Sequence, residues 1–105
     1  MPHYRNHQQI EASLNRMEEN LMKLRDMESK GESSQLWEAA GNIWGAAYWV
    51  GEFTKDQHIL NQICDLREEL SHLVSKKHLI SKDVSGFDKS LQKIESCYRK
   101  IQNKI

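Results

Sequence analysis

The stretch Ile59-Leu60-Asn61-Gln62-Ile63-Cys64-Asp65-Leu66-Arg67-Glu68-Glu69-Leu70-Ser71-His72-Leu73 decides the fold class. Ile59, Ile63, Leu66, Leu70 and Leu73 follow one another in steps of four, three, four and three. Side chains at that spacing share one face of an α-helix, whereas a half-buried strand alternates every second residue. The same stepping recurs on both sides. Upstream it runs through Ile10, Leu14, Met17, Leu21 and Leu24, with Glu11, Glu18, Glu19, Lys23 and Arg25 off the stripe. Downstream it runs through Phe87, Leu91, Ile94, Tyr98, Ile101 and Ile105.

Punctuation divides these stripes. The first helix is predicted from about Tyr4 to Lys30, with Gly31 in the left-handed position that ends helices and Ser33 or Ser34 placed to cap the next. The second covers roughly Gln35 to Val50. Thr54 and Gln57 then stand at capping-box spacing, with Phe53 placed to staple onto the new first turn of a third helix. The fourth helix is predicted to begin near Ser85, at the Ser85-Gly86 break.

Nearly 3.5-residue stepping in three helices implies near-parallel packing, and short connections make successive helices antiparallel. The prediction is an all-α, up-down antiparallel four-helix bundle, one domain over residues 1–105. Its rival is a three-helix chain with a long central helix, suited to an intertwined dimer. The stripes centred on Ile43 and Leu66 lie roughly 140° apart on one continuous helix. That mismatch favours a break or sharp bend near Gly51 to Thr54.

Composition agrees with a helical domain. One proline and five glycines in 105 residues leave few of the turns that all-β folds need. Hydrophobic residues at 38% and charged residues at 29% place the chain in the globular range. Fifteen cations balance 15 anions, which argues against a nucleic-acid partner. The excess of cations from Ile80 to Ile105 reads as a solvated face, because Phe87 and Tyr98 lie on the apolar stripe instead of forming a base-stacking surface. Met1-Pro2-His3-Tyr4-Arg5-Asn6-His7 lacks the apolar core of a signal peptide, and no apolar run of about 18 residues predicts a membrane partner. Cys64 and Cys97 make no disulfide framework; both read as buried thiols in a cytoplasmic protein.

The second helix differs from the others. Leu36-Trp37-Glu38-Ala39-Ala40-Gly41-Asn42-Ile43-Trp44-Gly45-Ala46-Ala47-Tyr48-Trp49-Val50 holds all three tryptophans, and no lysine or arginine occurs between Lys30 and Lys55. Leu36, Ile43, Ala47 and Val50 form a core stripe. Trp37, Trp44 and Tyr48 fall about 100–140° to its side and widen the apolar arc to about 200°, twice what one-sided packing needs. Gly41 and Gly45 edge this aromatic ridge and would let another backbone approach closely. Either the ridge is buried between neighbours in its own bundle, or it meets a partner chain. Aromatics beside small residues are the composition of an interface centre. Glu38, Asn42 and Glu52 occupy its polar side, where a membrane-surface helix would carry cations.

Signals for catalysis and metal binding are sparse. Arg67-Glu68-Glu69-Leu70-Ser71-His72 resembles the Arg-x4-His motif of HEPN ribonucleases, helical bundles in which that arginine and histidine meet at a dimer cleft and cut RNA. The resemblance covers six residues and implies an RNase site at Arg67 and His72. The chain departs from the family at Glu68, an anion where a polar residue often follows the arginine. On a straight helix the two side chains also project about 140° apart. Glu69-Leu70-Ser71-His72 has the Glu-x-x-His spacing of di-iron bundles but lacks the second copy such a site needs. His3 and His7 form an i,i+4 pair without an evident third ligand. His72 near Lys76 is loosely similar to a phosphotransfer bundle, without the small residues that normally follow such a histidine.

The sequence therefore predicts a non-enzymatic interaction or regulatory module, such as an adaptor, inhibitor, immunity or chaperone-like protein. Its expected interface is Trp37, Gly41, Trp44, Gly45 and Tyr48, its partner another protein or a second copy in a homodimer, and no cofactor or metal is expected. The HEPN-like ribonuclease or toxin component is the alternative.

Overall fold

A computed structural model of the chain describes residues 6–31, 34–75 and 84–105. Among them, four helices follow one another: α1 (His7–Lys30), α2 (Leu36–Thr54), α3 (Gln57–Ser75) and α4 (Val84–Lys104). They form the antiparallel bundle that the stripes predict, 44 Å long and about 20 Å across. The direction of each neighbour is read from cross-helix pairs. Arg25 of α1 reaches Asp88 of α4, while Leu14 receives the hydroxyl of Tyr98. In α3 and α4, Glu69 faces Lys93, and Asp65 lies close enough to Cys97 to act on its thiol. In α2 and α3, Gly51 approaches Leu60 and Arg67 covers Trp44.

All stripe residues named above from Ile10 to Ile101 are buried, and Ile105 packs at the edge of the core. The central arc of α2 is closed by Ala39, Ala40, Ala46 and Ala47 between Leu36, Ile43 and Val50. Small side chains on that side let α2 lie deep between α1 and α3 without its tryptophans contributing to the centre.

Two polar devices tie the helices. Asn20 is buried in α1 and donates to the Arg16 carbonyl at 2.8 Å. It accepts from the amide of Asn42 in α2, whose oxygen in turn accepts from Arg16. A buried amide needs such partners, so this chain of bonds fixes the register of α1 on α2. At the other side, Arg25 bridges Glu28 on its own helix and Asp88 and Glu95 on α4.

The helix ends correct several expectations. Gly31 does adopt the left-handed conformation at φ 65°, its N–H closing on Glu28 and Met27. Among the described residues no side chain caps α2: Gln35 is the residue at the cap position and makes no such bond, so Ser34 is not the cap, and Ser33 lies outside the described residues. The break between α2 and α3 falls later than Gly51 to Thr54. Helix α2 continues through Thr54 and turns at Lys55, at φ 48° and ψ 33°. The capping box of Thr54 and Gln57 is not made, since Thr54 donates to the Val50 carbonyl and Gln57 to Asn61. Asp56 caps α3 instead, accepting from the Ile59 N–H at 3.1 Å. Gly51 is a contact residue and not a breaker. A Cβ there would lie 3.0 Å from Leu60 Cδ2 and 3.1 Å from Ile63 Cδ1, so its missing side chain is what lets α3 approach. Helix α4 begins at Val84, which places Gly86 inside the helix. Residues 1–5 lie outside the description, and α1 is described from His7.

Candidate functional site: the outer face of α2

With its core arc complete, α2 leaves the rest of its circumference outside the bundle. Trp37 is 61% exposed, Trp49 52% and Tyr48 48%, although each is large and apolar enough to be worth burying. Trp44 is half-buried, packed on the core edge with the Arg67 guanidinium 4.6 Å from its ring centroid. The aromatic ridge predicted from Trp37, Trp44 and Tyr48 thus lies on the α3 side of α2, with Trp37 and Tyr48 outermost.

Trp49, which the helical-wheel reading leaves outside the ridge, stands on the opposite flank toward α1. It stacks on Phe53 with centroids 5.6 Å apart and meets Tyr48 edge-on at 5.4 Å. Its position was available in the numbering: Trp37, Gly41, Gly45 and Trp49 are each four residues apart. Such a row winds slowly round a helix and passes diagonally over its outer face.

Gly41 and Gly45 form the floor between the two flanks. A Cβ at either would meet nothing within 4 Å. Among the described residues, neither glycine is therefore required by packing, in contrast to Gly51. Grooves lie on both sides. One, of about 690 Å³, runs between α1 and α2 past Arg16, Glu19, Asn42, Gly45 and Trp49. The other, of about 400 Å³, runs between α2 and α3 past Trp37, Trp44, Arg67, Leu70 and Val74. Gly41 borders both. Glu38 and Glu52 are exposed on this face itself, and Arg16, Glu19 and Arg67 line the grooves beside it.

Arg67 and His72 do not converge within the chain. Arg67 turns toward α2 over Trp44, while His72 lies 3.7 Å from Glu69, whose other oxygen is 3.6 Å from Lys93 of α4. His7 pairs with Glu11 at 3.6 Å, and His3 and Lys76 lie outside the described residues. Among the described residues, no three His, Cys, Asp or Glu side chains gather as a metal site. Cys97 is buried, and burial raises its thiol pKa. Cys64 is exposed, correcting the expectation of two buried thiols; it sits one position beyond Ile63 and so leaves the stripe. On α4, Arg99 faces Glu18 and the ring of Tyr98, so part of the basic excess is engaged at the α1 boundary. No helix among the described residues is long and apolar enough to cross a membrane.

Compared with known proteins, the chain matches no family model, no curated protein and no solved structure.

Proposed function

We propose that this protein is a non-enzymatic interaction module that binds another protein chain through the outer face of α2, as an adaptor, inhibitor, immunity or chaperone-like protein would. The observation that carries the reading is the pairing of exposed Trp37, Tyr48 and Trp49 with two glycines that no contact among the described residues requires. Each glycine inside a helix costs about 1 kcal/mol relative to alanine. A solvent-facing helix surface would be more stable and more soluble with alanine, lysine or glutamate at these positions. Rigid aromatics beside backbone that can be approached closely are what a buried interface centre uses. The exposed thiol of Cys64 supports a reducing, cytoplasmic setting.

The three indole N–H groups provide the test. In uniformly ¹⁵N-labelled protein, the Trp37 and Trp49 signals are expected to shift or broaden in native lysate or with rising concentration. Buried backbone amides of α4 serve as the reference. Indole signals unchanged in both conditions would remove the interaction reading.

A further inference from the structure

We infer that the chain seated on this face is a second copy of the same protein, its α2 crossing antiparallel over a two-fold axis between Gly41 and Gly45. The inference rests on the reading of the α2 face as an interaction surface and adds the partner's identity. In a two-fold interface one patch meets itself in reverse order. The row Trp37, Gly41, Gly45, Trp49 reads the same from either end. Antiparallel pairing about its centre places Gly41 against Gly45 of the second copy, and Trp37 beside Trp49 of the second copy. An unrelated partner would not require that symmetry.

The geometry follows from elementary helix packing. Ridges of residues four apart interdigitate at a crossing angle of about −50°, with axes ordinarily 8–10 Å apart. Glycines at the crossing point permit a closer approach, since each faces open space. The tryptophans lie about 18 Å apart along the axis, one at each end of the crossing. Grooves on either side, about 690 and 400 Å³, offer more room than an indole occupies.

Charge and area agree. Glu38 flanks one side of the row and Glu52 the other, and the two-fold keeps each on its own side, so Glu38 of one copy does not face Glu52 of the second. The chain as a whole is neutral, so no net repulsion opposes association. The exposed parts of Trp37, Tyr48 and Trp49 amount to roughly 350–400 Å², about half of the ~800 Å² per partner in a standard interface. The glycine floor and groove margins lie around them to supply more.

Light scattering across micromolar to millimolar concentration is the first measurement. Wild type is expected to reach twice its 12.3 kDa monomer mass. Gly41→Leu and Gly45→Leu are each expected to hold that mass at one monomer while the helical circular dichroism remains, because a Cβ at either position meets none of the described residues within 4 Å. Direction is read by cross-linking in a Cys64→Ser background. Oxidising a mixture of Gly41→Cys and Gly45→Cys proteins is expected to link them, and each alone is expected to link far less. A wild type monomeric throughout overturns the second-copy inference. If the Trp37 and Trp49 indoles still shift in lysate, the interaction reading survives it; if they do not, both fall. Strong cross-linking of each cysteine variant alone would overturn the antiparallel arrangement.

Discussion

The guanidinium of Arg67 lies over the ring of Trp44, 4.6 Å from its centroid, and so roofs the one tryptophan of α2 that is packed against the core. A cation over an indole gains electrostatic attraction from the ring face, and the arginine stem adds packing. Arg67→Ala is expected to cost about 0.5–1 kcal/mol, the range for a solvent-accessible pair. Trp44 fluorescence should shift to the red as water reaches the ring. Arg67→Lys should recover only part of the loss, because an ammonium does not stack as a plane. An Arg67→Ala protein with unchanged stability and emission would show that the pair contributes nothing.

The glycines of α2 separate by what lies beyond them. Gly41→Ala and Gly45→Ala place a methyl in open space and remove the glycine penalty. Each should therefore raise monomer stability by up to about 1 kcal/mol. At Gly51 the new methyl would press on Leu60 Cδ2 and Ile63 Cδ1. Leu60 is only half-buried and can yield, so Gly51→Ala should lie near neutral; Gly51→Leu should unfold or splay the α2–α3 pair. Urea denaturation of monomeric samples orders the three sites. Equal effects at Gly45 and Gly51 would contradict the contrast.

The reach of the sequence follows the same distinction between periodic and non-local information. Ile59 to Leu73 announced its buried face because a helix repeats its environment every 3.6 residues. The turn was harder. Gly51 carries the residue type of a helix end, yet its role is to admit Leu60 and Ile63, which becomes visible only when α3 is folded back. The exposed flank of α2 was half legible: Trp37 and Tyr48 lie beside the core stripe, while Trp49 belongs to a row that is apparent only by counting in fours. Pairs such as Arg25 with Asp88, or Asn20 with Asn42, join distant parts of the chain, and no single-helix period encodes them.

Asn20 gives a prediction for the α1–α2 contact. Its buried side-chain oxygen accepts from Asn42. Asn42→Ala removes that donor and leaves the oxygen where water has little access. An orphaned buried polar group costs about 1–3 kcal/mol, more than the bond itself contributes. The double variant Asn20→Leu/Asn42→Ala should recover much of the loss by removing the polar group as well. A double variant no more stable than Asn42→Ala would argue that register, and not satisfaction of the amide, is what the pair supplies.

Arg25 sets the acid response of the α1–α4 contact. Partial burial opposes its charge, but hydrogen bonds to Glu95 and Asp88 outweigh this and raise its pKa. The bond from Arg25 holds the Asp88 carboxyl below its ordinary value, whereas burial raises that of Glu28. For Asp88, a depressed folded pKa means stability that is fully present above the unfolded value near 3.8 and lost as pH falls through the lower folded value. Glu28 acts with the opposite sign: its stabilising effect is present below the unfolded value near 4.5 and fades as pH rises through the raised one. Arg25→Ala leaves three carboxylates facing one another without the cation between them. At neutral pH it should lower the melting temperature by several degrees. Below about pH 4 the gap from wild type should narrow, because protonated carboxyls neither repel one another nor need the guanidinium. Thermal melts of both proteins between neutral pH and pH 3 measure that gap, and a gap that stays constant or widens on acidification would separate Arg25 from these carboxylates energetically.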